Sequence, residues 1–258
     1  MPGAVITGAS TGIGRELARL CAHDGYDPIL IARSQPQLET VAAEIRKSTN
    51  RTVMILPKDL SHATAPREIF EQISSSGVPV ETLINNAGFG LLGRFWELDL
   101  QQQIGMVQVN VTALTELSRL FLPAFIERRH GRILNVASTA AFQPGPLMAV
   151  YYATKSYVVS LSAALHNEAR DYGVTVTCLC PGPTETEFAQ RAGTTSTKLF
   201  RARAPMDAAT VARIGLKAMR AGKPLVITGR LNALMAFGTR FAPIQFTAAM
   251  ARRFQETK

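Results

Sequence analysis

The chain is poor in charged residues, and it has no long uninterrupted hydrophobic run. Of its 258 residues, 18% are charged and 47% are hydrophobic, whereas roughly 25% are charged in typical soluble proteins. This composition excludes disorder over most of the chain, because enough apolar surface is available to offset chain entropy. The longest charge-free stretch, 133–154, contains Pro144, Gly145 and Pro146, so we expect no membrane-spanning helix. A basic start followed by an apolar stretch is also missing, so we expect no signal peptide.

Cysteine is scarce. Cys21, Cys178 and Cys180 are odd in number and lack the spacing of a metal site. On a strand, positions 178 and 180 share one face in an orientation that does not favour a disulfide. We therefore predict buried, unbridged cysteines, no metal site and a reducing, cytoplasmic location.

Acidic residues are nearly absent from the last quarter of the chain. Residues 191–258 contain 13 lysines and arginines against two acidic residues, whereas residues 1–190 contain 15 against 17. The net charge of +9 therefore belongs to the C-terminal part. Nucleic-acid binding is not expected, because no binding motif accompanies this charge and the aromatic residues do not alternate with the basic ones.

Short apolar segments alternate with longer amphipathic ones. The predicted strands are nearly uninterrupted apolar runs, as strands covered on both faces require. They lie at 4–7, 28–32, 53–56, 82–85, 132–137, 174–179 and 225–228. Helical periodicity occurs near 12–24, 35–48, 63–76, 101–129, 151–171 and 207–221. This order predicts an α/β fold, a doubly wound parallel sheet of about seven strands with helices on both faces.

Two segments fall outside this alternation. Residues 183–206 lack clear periodicity and are predicted to form a long loop that closes over substrate as a lid. Residues 231–254 are apolar with scattered arginines, and Pro243 breaks any single helix there. We predict one domain over 1–230, which includes the lid, and a basic apolar extension over 231–258 that packs on this domain or at an interface.

A glycine-rich turn, TGASTGIG at 7–14, joins the first predicted strand to the first helix. Glycine lets the backbone turn sharply, and the N–H groups at the start of the helix favour an anion. A tight connection between a strand and a helix also needs glycine, so the cluster alone is weak evidence. Its place after the first strand favours the pyrophosphate of a dinucleotide.

The second predicted strand does not end with the carboxylate that binds ribose hydroxyls in an NAD site. Ala32 stands there, followed by Arg33 and Ser34. Because a guanidinium group suits a phosphate, NADP(H) is predicted as the preferred cofactor, with NAD(H) possible. A solvated surface arginine is the alternative interpretation.

Tyr151 and Lys155 are four residues apart on a predicted helix, so their side chains share one face. An ammonium beside a phenol favours the phenolate, which predicts a lowered Tyr151 pKa and proton exchange near neutral pH. Such pairs are common by chance, and Tyr152 satisfies the same geometric test. Ser138 and the segment 85–88 follow predicted strands at the carboxyl edge of the sheet, where ligands bind, although such residues often serve only local turns.

Taken together, the motifs have the order and spacing of a known family. They are TGASTGIG at 7–14, NNAG at 85–88, Asn110, Ser138, YYATK at 151–155 and PGPTETEF at 181–188. Over about residues 3–230 the chain resembles a single-domain, NADP-preferring short-chain dehydrogenase/reductase. The resemblance implies a Rossmann-like fold and hydride transfer between a nicotinamide and a carbonyl or alcohol group. It also places Tyr151, rather than Tyr152, in the family's Tyr-x-Ala/Ser-x-Lys pattern.

The resemblance further implies residue roles. Tyr151 is the general acid/base, and Ser138 binds the same substrate oxygen. Lys155 binds the nicotinamide ribose, and Asn110 either holds a water in a proton relay or is a buried polar bridge. The residues expected to bind the cofactor are Gly8, Ser10, Thr11, Gly12, Ile13, Gly14, Arg33, Ser34, Asp59, Leu60, Asn86, Ala87, Gly88, Tyr151, Lys155, Pro181, Gly182, Thr184 and Thr186. Thr11 stands where many NADP-dependent relatives have a second basic residue.

Apolar residues surround the expected reaction site and predict a small hydrophobic carbonyl substrate, although core packing accounts equally well for part of them. They are Phe89, Leu91, Leu92, Phe95, Phe142, Leu147, Met148 and Phe188. Arg191, Lys198, Arg201 and Arg203 lie on or near the predicted lid, where they would attract an acyl thioester. Incidental positive charge on a solvated loop is the favoured interpretation of these residues.

The leading hypothesis is therefore an NADP(H)-dependent carbonyl reductase or alcohol dehydrogenase that forms a homodimer or homotetramer. One alternative is a non-catalytic NADP-binding sensor or scaffold, whose marker would be a missing Tyr151 or Lys155. The other is a membrane-surface protein that uses the basic C-terminal tail. The 231–258 extension suits a contact between subunits, a peripheral membrane contact or core packing.

Overall fold

A seven-stranded sheet forms the centre of the computed structural model, which describes residues 1–198 and 205–256. The strands are β1 (Gly3–Thr7), β2 (Asp27–Ala32), β3 (Met54–Pro57), β4 (Val80–Asn85), β5 (Gly131–Val136), β6 (Val174–Cys180), β7 (Thr184–Glu185), β8 (Met206–Asp207) and β9 (Leu225–Ile227). All neighbours in the main sheet are parallel, in the order β3-β2-β1-β4-β5-β6-β9, while β7 pairs with β8 apart from it. The seven predicted strands are all present, with small shifts at their ends.

Helices cover both faces of the sheet, which confirms the predicted doubly wound arrangement. They are α1 (Gly12–His23), α2 (Gln35–Ser48), α3 (Ala65–Ser75), α4 (Leu100–Val107), α5 (Leu114–Glu127), α6 (Ala149–Ala169), α7 (Glu187–Arg191), α8 (Ala208–Arg220), α9 (Arg230–Gly238) and α10 (Ile244–Gln255). A π-helical segment, Gln108–Ala113, joins α4 to α5, and 3₁₀ turns occur at Thr139–Phe142 and Arg170–Tyr172.

Two buried layers hold the helices to the sheet. Successive residues of a strand point to opposite faces, and Ile6 and Val5 of β1 accordingly enter different clusters. Ile6 packs in the cluster that includes Leu17 of α1, and Val5 in the cluster that includes Ile69 of α3 and Phe121 of α5. All of these side chains are at most 4% exposed.

The winding direction of the chain reverses between β1 and β4, which are adjacent although β2 and β3 lie between them in sequence. In open α/β sheets, the crevice outside the carboxyl ends of the strands at such a point is where ligands bind. The loops after β1, β4, β5 and β6 carry the predicted motifs to this crevice.

The helix predicted at 101–129 is a continuous element over Leu100–Glu127 that contains the π-helical segment. In the described part of the chain, it is the one helix whose length and mean hydropathy satisfy the criteria for a membrane span. Leu117 and Phe125 of this helix are buried against the sheet, so its apolar character has a structural role within the fold.

The two segments outside the alternation contain more regular structure than predicted. Residues 183–206 include α7 and the pairing of β7 with β8, so the described part of this segment is not wholly irregular. That the segment closes over substrate as a lid stays a prediction. Arg201 and Arg203 lie outside the described residues. Pro243 separates α9 from α10, as its missing N–H and its position predict.

The cysteines are buried and unbridged, as predicted. Cys178 and Cys180 project from the same face of β6, with their Sγ atoms 3.8 Å apart. Their environment is the packed core beneath α6.

Candidate active site

A cavity of about 700 Å³ opens at the carboxyl ends of the sheet. This volume lies in the range typical of small-molecule and cofactor sites. Most predicted site residues line it, namely Gly8, Ser10, Thr11, Gly12, Ile13, Arg33, Ser34, Asp59, Leu60, Asn86, Ala87, Gly88, Ser138, Tyr151, Lys155, Pro181, Gly182, Thr184 and Thr186. Gly14 and Asn110 lie behind the wall.

The glycine-rich turn keeps open the space in front of the N-terminus of α1. Gly8 and Gly12 have φ angles of +64° and +55°, in the left-handed region that favours glycine. A Cβ atom on Gly12 would lie 2.9 Å from Cγ2 of Thr186, so a side chain would fill the turn. Thr11 is the N-cap of α1, and no cap hydrogen bond comes from its side chain. An open turn before a helix N-terminus fits the pyrophosphate of a dinucleotide.

Gly14 has a packing role in this structure. A Cβ atom there would collide with the carbonyl oxygen of Gly8 and with Nδ2 of Asn86. The absence of a side chain thus lets α1 approach the loops after β1 and β4. The contact of Gly14 with a cofactor stays a prediction.

Hydrogen bonds tie the loop after β4 to the glycine-rich turn. The Thr7 hydroxyl accepts from the backbone N–H groups of Asn86 and Ala87, both at 3.0 Å. Nδ2 of Asn86 donates to the carbonyl oxygens of Thr7 and Gly8 at 2.9 and 3.2 Å. The Asn86 side chain therefore helps to shape the cavity wall by holding the backbone of Thr7 and Gly8 in place.

The end of the cavity beyond β2 carries positive charge. Arg33 is exposed at this end, and Lys58, which the sequence did not single out, lines it as well. Nζ of Lys58 lies 2.6 Å from a carboxylate oxygen of Glu68, so its charge is shared with that partner. Burial raises the pKa of the Asp59 carboxyl, but hydrogen bonds from Ser61 and the nearby Arg33 outweigh it and hold this pKa below its ordinary value.

Tyr151, Lys155 and Ser138 converge on the cavity wall formed by the start of α6 and the end of β5. Tyr151 and Lys155 are 8% and 5% exposed. Nζ of Lys155 donates to the carbonyl oxygen of Val136 at 2.9 Å and lies 5.8 Å from the centre of the Tyr151 ring. The Ser138 hydroxyl lies near Tyr151; it donates to the carbonyl oxygen of Pro181 at 3.5 Å, and its Oγ accepts the N–H of Ala140 at 3.1 Å.

Burial controls the ionisation of both α6 groups. It raises the pKa of Tyr151 above the ordinary value, and the nearby Ser138 hydroxyl opposes this shift only in part. It lowers the pKa of Lys155 from 10.5 to about 8. The predicted lowering of the Tyr151 pKa is therefore wrong in this structure, because loss of hydration of the phenolate dominates and raises this pKa. At neutral pH both groups hold their protons.

Asn110 lies on the π-helical segment and is 1% exposed. Its Oδ1 accepts the N–H of Phe89 at 3.1 Å, while Nδ2 donates to the Phe89 carbonyl at 3.0 Å and to Oγ1 of Thr154 at 3.1 Å. Both amide hydrogens are thus engaged. The Asn110 side chain is thus a buried polar bridge between Phe89 and Thr154, which was one of the two interpretations of this residue.

Tyr152 reaches the cavity in a different environment. Its hydroxyl accepts a hydrogen bond from Nε2 of Gln255 at 2.7 Å, and its ring packs on Gly145, where a Cβ atom would collide with it. Ser138 lies near Tyr151, whereas the Tyr152 hydroxyl is engaged with Gln255. The geometry therefore favours Tyr151 as the group that shares a substrate oxygen with Ser138.

Apolar side chains form the wall next to Tyr151. Phe89, Phe142, Met148 and Phe188 line the cavity, and the Phe188 ring centre lies 5.3 Å from that of Tyr151. The other four candidates, Leu91, Leu92, Phe95 and Leu147, do not line it. This division matches the expectation that part of the set belongs to ordinary packing.

The C-terminal helices supply a section of the wall that the sequence did not assign. It comprises Asn232, Met235, Ala236, Thr239, Ala251, Phe254 and Gln255. The members of the first helix recur at intervals of three and four residues, the spacing of one helix face, which is a signal present in the sequence. The cavity is also lined by Gln101, Gln102 and Gln143. No pattern in the sequence marks these glutamines as cavity residues.

A family model described as short chain dehydrogenase matches residues 3–197. The chain belongs to the short-chain dehydrogenase/reductase family of oxidoreductases. The predicted family and the Rossmann-like fold class are thereby confirmed.

Similar proteins include two curated enzymes and a solved structure. The 17-beta-hydroxysteroid dehydrogenase type 3 of Mus musculus is 34% identical over 182 residues, 69% of this chain and 58% of that protein. The very-long-chain 3-oxoacyl-CoA reductase of Homo sapiens is 31% identical over 193 residues, 72% of this chain and 61% of that protein. The chain thus spans about three fifths of the length of these relatives. A short-chain dehydrogenase from Sphingobium yanoikuyae in complex with NADPH is 29% identical with a TM-score of 0.83, covering 93% of this chain and 95% of that one.

Proposed function

We propose that this short-chain dehydrogenase is an NADP(H)-dependent oxidoreductase that interconverts an apolar carbonyl compound and the corresponding secondary alcohol. One observation carries the proposal: a phenol, a serine hydroxyl and a buried ammonium line one cavity that also contains the glycine-rich turn. The turn can bind a pyrophosphate. The three side chains can surround a substrate oxygen atom whose charge changes during the reaction.

Tyr151 supplies the proton in the reductive direction. Its raised pKa keeps the hydroxyl protonated at neutral pH, so it is ready to donate to the substrate oxygen as negative charge develops there. Ser138 holds the same oxygen through its hydroxyl and fixes its distance from the phenol. A nicotinamide cofactor, when bound, supplies or accepts the hydride at the substrate carbon.

Lys155 provides positive charge beneath the phenol. With a pKa of about 8 it is charged at neutral pH, and its attraction grows as Tyr151 gives up its proton. The bond from Nζ to the Val136 carbonyl holds this charge in place. The ammonium therefore stabilises the phenolate that is left after proton transfer.

Arg33 supports the preference for NADP(H). It follows directly after Ala32, which stands where an NAD site has a carboxylate, and it lines the cavity with Ser34 and Ser10. The solved relative that contains NADPH supports the same cofactor. NAD(H) would lack the phosphate that pairs with this guanidinium.

The substrate is proposed to be a hydrophobic carbonyl, as the Phe89, Phe142, Met148 and Phe188 wall favours. The names of two relatives, a 17-beta-hydroxysteroid dehydrogenase and a very-long-chain 3-oxoacyl-CoA reductase, support a substrate of this class. Arg191, which lines the cavity, suits the negative charge of a thioester carrier, although its guanidinium also contacts Glu187 at 2.6 Å. The homo-oligomer and the cytoplasmic location stay predictions.

A non-catalytic sensor or scaffold is not favoured. Such a protein needs the glycine-rich turn to bind the cofactor. It does not need a buried ammonium beside a tyrosine, which is unfavourable because the charge loses its hydration. Lys155 and Tyr151 are both present and placed together, so the chain retains what catalysis requires.

The proposal is tested by following NADPH absorbance with a panel of hydrophobic ketones, aldehydes and 3-oxoacyl thioesters. Arg33→Asp should weaken NADPH binding by about tenfold or more, since a charge-assisted hydrogen bond contributes about 1.5–3 kcal/mol, and should shift the preference towards NADH. Arg67→Asp is the matched control, because Arg67 is an exposed arginine outside the cavity. The proposal would be contradicted if no compound of the panel supported NADPH oxidation. It would also be contradicted if Arg33→Asp left the preference for NADPH over NADH unchanged.

A further inference from the structure

The two C-terminal helices present a large apolar surface to solvent. We name it the α9–α10 surface, and it consists of Leu231, Leu234, Met235, Phe237, Phe241, Ile244, Phe246 and Met250. Phe241 is 75% exposed and Ile244 is 71% exposed, while the rings of Phe237 and Phe241 are in contact with centres 5.2 Å apart. Soluble monomers rarely expose apolar patches of this extent without a binding role.

Positive charge lies on the same two helices as this apolar surface. Arg230, Arg240, Arg252 and Arg253 are all exposed on or between the same two helices. Glu256 is the only acidic residue in the sequence from 230 to 256, and its carboxylate lies 3.5 Å from Arg252. Exposed aromatic and aliphatic side chains with arginines at their border are typical of an element that lies in a lipid–water interface.

A second apolar surface on the same molecule lacks this charge. It consists of Phe95, Trp96, Leu100, Ile104 and Val107, on and before α4. The residues from 94 to 107 include Arg94 but also Glu97 and Asp99, so the balance there is negative. Charge therefore separates the two surfaces, and an anionic partner suits only the first.

Charge also argues against a second copy of the chain as the occupant of the α9–α10 surface. A two-fold interface brings the same patch of both subunits together. The four arginines of each copy would then be concentrated in one interface, where repulsion between like charges is unfavourable.

We propose that the α9–α10 surface docks on an anionic lipid bilayer. The aromatic and aliphatic side chains enter the boundary between headgroups and acyl chains, and the arginines pair with lipid phosphates. The same helices carry Met235, Ala251 and Phe254 into the cavity wall. An apolar substrate dissolved in the bilayer would thus meet the cavity at the docked face. This consequence rests on the proposed function, but the docking does not.

The test is flotation of the purified full chain with vesicles of phosphatidylcholine, with and without phosphatidylserine. Wild-type protein should bind the anionic vesicles, bind the neutral ones much more weakly, and be released by high salt, which shortens the screening length to about 3 Å at 1 M. Arg240→Gln with Arg253→Gln should lower the partition coefficient by about fivefold per arginine. Phe241→Ser with Phe246→Ser should lower it by about tenfold per aromatic residue.

Trp96→Ser with Ile104→Ser, on the second apolar surface, is the matched control and should leave vesicle binding unchanged. None of these residues lines the cavity, so turnover of a water-soluble ketone by the same variants separates loss of docking from failure of the enzyme assignment. Absence of binding to anionic vesicles, equal binding to neutral ones, or unchanged binding in both α9–α10 variants would overturn the proposal. A wild-type dimer that Phe241→Ser with Phe246→Ser converts to monomer, without vesicle binding, would instead make this surface a subunit interface.

Discussion

Replacing the buried lysine of the site should stabilise the protein while it abolishes catalysis. Burial lowers the pKa of Lys155 from 10.5 to about 8 in the folded chain. A shift of this size means that holding the ammonium inside costs about 3 kcal/mol of folding free energy at pH 7. Lys155→Met removes this cost. The variant also loses the hydrogen bond to the Val136 carbonyl, at 2.9 Å, which lowers its free energy of unfolding by about 1 kcal/mol. We expect a net gain of about 2 kcal/mol in the free energy of unfolding.

The sign of the pH dependence follows from the lowered pKa. Below pH 8 the lysine is protonated in the folded and unfolded chain alike, so the wild type bears the full cost of the buried charge. Between the two pKa values the unfolded chain binds one proton more, so wild-type stability rises by about 1.4 kcal/mol per pH unit. The advantage of Lys155→Met should therefore shrink by about 1 kcal/mol between pH 7 and pH 9.

Urea unfolding without nucleotide, at both pH values, measures this difference. Lys217→Met is the control, since Lys217 lies on the exposed face of α8, and it should change the unfolding free energy little at either pH. A Lys155→Met protein that is less stable than the wild type at pH 7, or a difference that does not change with pH, would refute this description of the site. A stabilised but inactive variant would show that the lysine is kept for its chemistry.

Two further predictions concern binding and folding. Gly12→Ala should weaken NADPH binding by about tenfold in a fluorescence titration, because the residue has φ +55° and the new Cβ would lie 2.9 Å from Thr186; unchanged affinity would show that the turn does not hold the cofactor. Asn135→Leu should lower the free energy of unfolding by about 2 kcal/mol or more, because Asn135 bridges Asn85 and Ser162 inside the core at 2.9 and 3.0 Å. A loss below about 0.5 kcal/mol in urea unfolding would contradict that role.

Much of the fold could be predicted from local pattern. The strands of the main sheet are apolar on both faces, and glycine, proline and polar residues separate them from amphipathic helices. Residues 4–7 illustrate this, because Ala4, Val5 and Ile6 are all completely buried between two helical layers. The short strands β7 and β8 have two residues each, too few for a period to be recognised.

The candidate site was predictable where its members belong to sequence motifs, and not where it depends on long-range contacts. The hydrogen bond between Gln255 and Tyr152 joins residues 103 positions apart, so the part that α10 plays in the cavity wall has no local signal. The pKa of Tyr151 was predicted from a neighbouring charge alone. Its actual direction depends on burial, which only the packed structure determines.

The central claim is that Tyr151 exchanges the proton with the substrate oxygen. Its most direct test compares Tyr151→Phe with Tyr152→Phe, in paired measurements of NADPH binding and of single-turnover NADPH oxidation with an accepted ketone. We predict that Tyr151→Phe binds NADPH as the wild type does but loses turnover by at least about 100-fold, the contribution of general acid catalysis. Tyr152→Phe, which loses only the hydroxyl that contacts Gln255, should remain active. Retained turnover in Tyr151→Phe together with loss in Tyr152→Phe would contradict the account.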